Sequence, residues 1–291
     1  MTTIRRTLML IALCIIWGST WLVIKVGLEV LPPFLGAALR FGVASIVLFG
    51  LALVRGVPFP TTPRTHLGLL GVGLVGIGLS YGVVYWGEQY IPSGLSAVLF
   101  ATHPLFVMGI AHVAIAAEPI TPRKAFGAVI SFVGVVLIFR TDLQFTHPLG
   151  LIAAFVTLLS PIAAASSNVA IKRWGHHIHP YNLTAFPMGY ATIFLGTASV
   201  MTEDLSAVAW SWTGALSVLY LALFGSVAAF VMLYTLLKQV PVSLLALISY
   251  AFPVVAVALG FLILGETLEP QAIAGALAIV AGIATATSRR A

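Results

Sequence analysis

The sequence predicts an all-α integral membrane protein, a bundle of ten transmembrane helices built as two inverted five-helix repeats with both termini cytoplasmic. Three observations carry that expectation. The 291 residues are 60% hydrophobic and 8% charged, with a mean hydropathy of +1.09, where a soluble domain is roughly half apolar and a quarter charged. Apolar runs of about 20 residues recur from end to end, the length that crosses a ~30 Å hydrocarbon layer. The basic residues then sort to one side of those runs. The whole of 1–291 reads as a single transmembrane domain, with repeats at 1–147 and 148–291.

Charges, prolines and polar clusters set the boundaries, placing helices near 7–28, 33–54, 67–88, 93–115, 122–140, 149–172, 180–201, 211–237, 241–264 and 270–287. The first follows Arg5 and Arg6 and imitates a signal peptide, but no small-residue cleavage site follows, so an uncleaved helix is expected. Cys14 lies inside it and, being the one cysteine, forms no internal disulfide. The second starts at Pro32-Pro33 and carries Arg40. The third contains "GLLGVGLVGIGL" (68–79), small-residue spacing that lets helices approach closely; without a lysine-serine pair or a strand it is no phosphate loop. Pro104 and Pro253 fall inside the fourth and ninth helices, and Gly127, Gly134, Gly275 and Gly282 mark close contacts in the fifth and tenth. The sixth ends at Lys172 and Arg173, the seventh follows "HHIH" (176–179), and the eighth ends before Lys238. For the histidine run a polar inner turn and a transition-metal site are the two readings.

With the N-terminus inside, Arg5, Arg6, Arg55, Arg64, Arg123, Lys124, Lys172, Arg173, Lys238, Arg289 and Arg290 all lie on inner flanks. Lys25, Arg40 and Arg140 fall elsewhere. Glu29, Glu88, Asp142, Glu203, Asp204, Glu266 and Glu269 lie at outer ends, and Glu118 at an inner one. Although the net charge is +6, the basic residues are scattered, so no contiguous face for nucleic acid exists.

The second half repeats the first. "GSTWLVIK" (18–25) falls on "ASSNVAIK" (165–172), pairing Ser19 with Ser166 and Lys25 with Lys172. Tyr85 then falls on Tyr234, Pro92 on Pro241 and Pro104 on Pro253; after a one-residue gap Glu118 falls on Glu266, Pro122 on Pro270, Gly127 on Gly275 and Gly134 on Gly282. Each half holds an odd number of spans, so the copies must be inverted. Inverted copies offer two nearly equivalent packings, one open to each side, which points to a carrier.

These residues also carry a resemblance. "WGSTWLVIK", "PPFLGAALRF" (32–41), "GEQYIPSGLSAVLFATHPLF" (87–106), the glutamate followed by "TPRKAFGAVISFVGVVLI", and "LGETLEPQAIAGALAIVAGI" (264–283) resemble the drug/metabolite transporter superfamily, specifically its ten-helix EamA-type exporters. The resemblance implies a bacterial inner-membrane protein with a cavity between its halves, exporting amino acids, their relatives or other small metabolites. "AAEP" stands where the family usually has glycine before the glutamate, a departure confined to a helix end. Family membership does not fix the substrate.

Polar tips on one face of a membrane helix belong in protein or in a water-filled cavity. Tyr81, Tyr85 and Glu88 are spaced i, i+4, i+7, and Trp17, Trp21 and Lys25 i, i+4, i+8, so each set shares a face. The tyrosines read as path wall or interface belt, and Glu88 as a proton or cation site at the outer mouth or as a plain interface charge. Lys25 either snorkels to water or, with its mate Lys172, pairs with carboxylates or substrate anions at the gates. Arg40, about two turns deep, is a clamp between helices or a substrate contact. Pro104 and Pro253 free the carbonyls of Phe100 and Ser249 and kink their helices. Beside the kinks stand Thr102, His103, Ser249 and Tyr250; His103 relays protons or packs as a hydrogen-bonded neutral ring. Ser19, Asn168 and Tyr234 complete the expected path, Asn168 as amide glue or substrate contact.

Two other functions remain in view. A hydrolase would use the serine of "GLSY" (78–81) with His103 or His112, but no third orienting group is apparent. A channel would need a polar file along several helices. The expected partners are the bilayer, a small-molecule substrate and protons, with no cofactor, no metal and no nucleic acid, in a monomer or homodimer. Aromatic amino acids and small amphipathic compounds suit the aromatic lining.

Overall fold

The computed structural model describes residues 3–140, 147–208, 210–255, 258 and 270–287. Asp142, Glu266, Glu269, Arg289, Arg290 and the end of the ninth expected span lie outside the described residues. Regular structure among the described residues is helical throughout. Its main segments are α1 (Thr3–Leu28), α2 (Pro33–Val54), α3 (Pro63–Gly87), α4 (Ser93–Ala114), α5 (Pro122–Ile138), α6 (Gly150–His177), α7 (Pro180–Thr202), α8 (Trp212–Leu237), α9 (Val242–Val255) and α10 (Pro270–Thr287). Eight of these are long and apolar enough to cross a membrane; α9 is a shorter apolar helix and α5 has 17 residues.

Local chemistry explains where the helices start. Proline stands in the first turn of α2, α3, α5 and α7, where its missing N–H would be unpaired anyway. Two carboxylates cap helix starts from a distance. Glu203 at the end of α7 accepts from the Phe34 and Leu35 amides at 2.7 and 3.0 Å, and Glu118 beyond α4 accepts from the Val242 and Ser243 amides at 2.8 and 2.9 Å and from the Ser243 hydroxyl. Each places negative charge on a positive dipole end.

The outside is apolar. Ile4, Leu8, Ile11, Ile15 and Leu22 share one exposed face of α1, as do Phe126, Val129 and Val133 on α5 and Ile273, Leu277 and Val280 on α10. Only lipid tolerates so much exposed hydrocarbon. Inside, α2 packs along α7 and α5 along α10.

Small residues set the closest approaches, and these come in reciprocal pairs. A Cβ on Gly134 would sit 2.6 Å from the Gly275 carbonyl, and one on Gly275 the same distance from the Gly134 carbonyl. Gly127 and Gly282 meet in the same fashion. Between other helices, Gly76 of α3 lies against Ser167 of α6, and Gly225 of α8 against Thr20 of α1.

Several of the expected helices are not uniform. α3 is π-helical over Val72–Leu79 and α8 over Leu223–Ala228, so Gly76 and Gly225 both stand in widened turns. In α4 the helix stops at Phe100 and resumes at His103, with Pro104 in the new first turn; in α9 a 3-10 stretch, Leu247–Tyr250, precedes Pro253. These irregularities place loosened backbone at the middle of the bundle, beside the cavity described next.

Candidate functional site

Residues of α3, α4, α8 and α9 face α1 and α6 around a cavity of about 90 Å³. Aromatic rings line it from α1, α3, α4, α8 and α9. Trp17 meets Phe230 and Phe252 edge to face at 5.6 and 5.7 Å, and its indole N–H donates to the Gly225 carbonyl at 3.1 Å. Trp21 meets Phe100 at 5.8 Å, and Phe100 stacks on His103 at 5.4 Å. Tyr81 and Tyr234 close the opposite side, each against Phe230.

A polar seam crosses this wall. His103 is buried, with Nε2 3.2 Å from the Asn168 amide nitrogen and Nδ1 3.5 Å from the Ser249 hydroxyl, so α4, α6 and α9 meet in one hydrogen-bonded line. Nearby, the Ser80 and Ser160 hydroxyls pair at 2.9 Å. A nucleophilic Ser80 activated by His103 or His112 therefore has no geometry here: Ser80 is held by Ser160, and His112 accepts from the Ile120 amide on the surface.

Behind the wall lie the charges. Arg40 is 1% exposed. Its guanidinium donates to Ser226 Oγ, the Gly225 carbonyl and the Tyr85 hydroxyl at 2.9, 3.2 and 3.4 Å and lies 4.9 Å from the Tyr81 ring centre. Of the two readings open from sequence, this geometry is the clamp, binding α2 to α3 and α8. The Lys25 ammonium donates to the main-chain carbonyl of Glu88 at 2.8 Å, and Lys172 to those of Leu237 and Val240 at 2.7 and 2.8 Å. Both lysines thus cap helix C-termini, where cations are favoured, and each also lies within electrostatic reach of a carboxylate, Lys25 of Glu88 and Lys172 of Glu118. Glu88 is fully buried, and neither carboxyl oxygen has a hydrogen-bond partner among the described residues.

A family model of EamA-like transporters matches the chain twice, over residues 5–140 and 151–288. The chain belongs to the EamA-like transporter family. "Uncharacterized inner membrane transporter YedA" of Escherichia coli strain K12 is 35% identical over 267 residues, covering 89% of this chain and 83% of that one. "Uncharacterized transporter YoaV" of Bacillus subtilis strain 168 is 27% identical over 281 residues, 96% of each. A "Probable amino-acid metabolite efflux pump" of Salmonella typhimurium strain LT2 is 26% identical over 280 residues, 92% of this chain and 90% of that protein. A solved crystal structure superposes with a TM-score of 0.84 at 20% identity, covering 98% of this chain and 97% of its own, which is a likeness of fold.

In this EamA-like transporter, a multi-pass inner-membrane protein, the residues singled out from sequence fall into two groups. Trp17, Trp21, Tyr81, His103, Asn168, Tyr234 and Ser249 line one cavity. The others lie outside it. Ser19 bonds the Tyr220 hydroxyl at 2.7 Å, tying α1 to α8; Thr102 turns back to the Leu99 carbonyl in the α4 break; Tyr85 is drawn to Arg40. Tyr250 is buried in the cluster of α5, α9 and α10. The even spacing that put Tyr81, Tyr85 and Glu88 on one stripe says nothing of which partner claims each tip, and only Tyr81 reaches the cavity. Sequence reading missed Phe230, Phe252 and Ser160 as lining, because a lone phenylalanine or serine in an apolar helix carries no periodic signal. Their positions on the Trp17 and Ser80 contacts are the only mark that distinguishes them.

Proposed function

We propose that this EamA-like transporter is a secondary carrier that exports small metabolites, amino acids and aromatic or amphipathic compounds among them, by alternating access between two inverted five-helix repeats, 1–147 and 148–291, in a ten-helix bundle with both ends in the cytoplasm. One observation supports the reading: two contacts between helices near the cavity recur when the residues of one half are exchanged for their sequence mates in the other. Lys25 to the Glu88 carbonyl maps onto Lys172 to the Leu237 carbonyl, and Gly76 on Ser167 maps onto Gly225 on Thr20. A seam whose two sides are chemically alike has two packings of similar energy, the condition for opening to either side in turn. The name of the Salmonella relative supports export of amino-acid metabolites.

Glu88 is the coupling residue in this reading. A carboxylate buried without a hydrogen-bond partner among the described residues is costly to keep ionised even with the Lys25 ammonium nearby, and taking up a proton removes the charge. In proteoliposomes, the purified chain should show saturable counterflow of a labelled substrate driven by a proton gradient, and Glu88→Gln should keep the counterflow while losing its dependence on that gradient. Gradient-driven uptake that survives in Glu88→Gln takes the coupling role from Glu88; flux that never saturates takes away the carrier.

A further inference from the structure

The walls of the cavity limit what it holds. Among the described residues lining it there is no Asp, Glu, Lys or Arg, so an ammonium or carboxylate entering it would lose water without gaining a partner, at a cost of several kcal/mol. A cation meets a second obstacle. Arg40 stands 4.9 Å from the centre of the Tyr81 ring, so that ring already serves one positive charge and the field behind it repels another. Anions find no ammonium or guanidinium in the wall; Arg40 lies behind it, each of its three guanidinium nitrogens donating to Ser226, Gly225 or Tyr85.

The polar seam states the complementary requirement. With the Asn168 amide nitrogen donating to His103 Nε2, the imidazole is neutral and carries its proton on Nδ1, toward Ser249. Asn168 then keeps one amide hydrogen and its carbonyl oxygen for an occupant, a donor beside an acceptor on a side chain that lines the cavity. A neutral group with a donor beside an acceptor, such as another amide edge, pairs with both at once. The size is restrictive too: about 90 Å³ is less than the ~150 Å³ of a dry cavity that admits benzene, so a single ring between the facing aromatics is the most it accepts with modest side-chain movement.

We infer that the cavity binds an uncharged, single-ring aromatic compound bearing a carboxamide or lactam edge, read by Asn168 and sandwiched among Trp17, Trp21 and Tyr81. This narrows the substrate class and rests on the carrier reading above. Within the small metabolites named there, it favours the uncharged aromatic compounds over the zwitterionic amino acids.

The test uses three probes with one ring and three charges: nicotinamide, nicotinate and 1-methylnicotinamide, with phenylalanine as the zwitterion. Binding to the full chain is followed by tryptophan fluorescence, with Trp17→Phe as the variant that locates the signal, and transport by counterflow in proteoliposomes. Nicotinamide is expected to bind at least tenfold more tightly than the other three and to exchange, and Asn168→Ala to weaken nicotinamide binding at least tenfold while the protein keeps its monodisperse elution. Equal or tighter binding of nicotinate, 1-methylnicotinamide or phenylalanine overturns the inference. If one of these also exchanges saturably, the carrier reading stands without it; selective nicotinamide binding with no exchange overturns the carrier reading instead. No binding of any probe overturns the inference, and counterflow is then judged separately on efflux from preloaded cells.

Discussion

Arg40 concentrates the buried polarity of the bundle in one side chain. Its planar fork reaches a hydroxyl on α8, a carbonyl on α8 and a phenol on α3 while its face lies on Tyr81, and lysine, a compact point charge, reproduces neither the fork nor the stacking. Arg40→Lys should leave at least one of these acceptors unpaired and cost about 2 kcal/mol or more of stability, read as a lower thermal midpoint in detergent; an unchanged midpoint would show that the clamp is dispensable. Glu118 makes a parallel case. Its carboxylate takes two amides and a hydroxyl at the start of α9, so Glu118→Gln, which keeps the shape and loses the charge, should cost about 1 kcal/mol and loosen the first turn of α9 in hydrogen exchange. Sequence made Arg40 conspicuous, since a guanidinium two turns into an apolar helix must be held by protein, but it left the identity of the partners open. Glu203 read as an outer-end charge and Glu118 as the inner-end glutamate paired with Glu266, neither as a cap, because a cap formed more than a hundred residues away leaves no local pattern.

At the scale of elements, the positions of the helices were legible and their irregularities were not. Runs of apolar residues between charges and prolines located α1 to α10 to within a few residues, the end of α9 excepted, since length and hydrophobicity are all that a span requires. The π-helical stretches of α3 and α8 depend instead on what packs against them. Gly76 illustrates the competition of magnitudes. Replacing it with alanine favours a helix by up to about 1 kcal/mol, yet the new Cβ would run into Ser167, and overpacking of that sort costs about 1–3 kcal/mol. Gly76→Ala should therefore destabilise the protein, and Gly76→Ala with Ser167→Gly should regain most of the loss. A double variant no better than the single one would mean that α3 and α6 do not meet there. Prolines did announce disturbance in α4 and α9, because the missing donor is a covalent property; that α4 breaks at Ala101–Thr102 while α9 tightens to a 3-10 turn is set by neighbours.

The whole molecule turns on the relation of its halves. Inverted copies place equivalent loops on opposite sides of the membrane, whereas parallel copies place them on the same side. Thr61, between α2 and α3, and Ser206, between α7 and α8, are exposed positions in such equivalent loops. In a Cys14→Ser background, Thr61→Cys should react with an impermeant maleimide only from the cytoplasmic face and Ser206→Cys only from the outer face; labelling of both from one face would end the inverted-repeat reading and the alternating access built on it. The sequence by itself determined that the chain lives in a bilayer, where its helices run, that its second half echoes its first and that it resembles EamA-type exporters, because hydropathy, proline and duplicated residues are written along the chain. The tertiary structure alone decided that seven of the singled-out side chains surround one cavity, that the lysines cap carbonyls and that the Glu88 carboxyl is buried without a hydrogen-bond partner among the described residues. Periodicity fixes the face a side chain leaves from, but the group it meets belongs to another helix, and that meeting is made only when the helices pack.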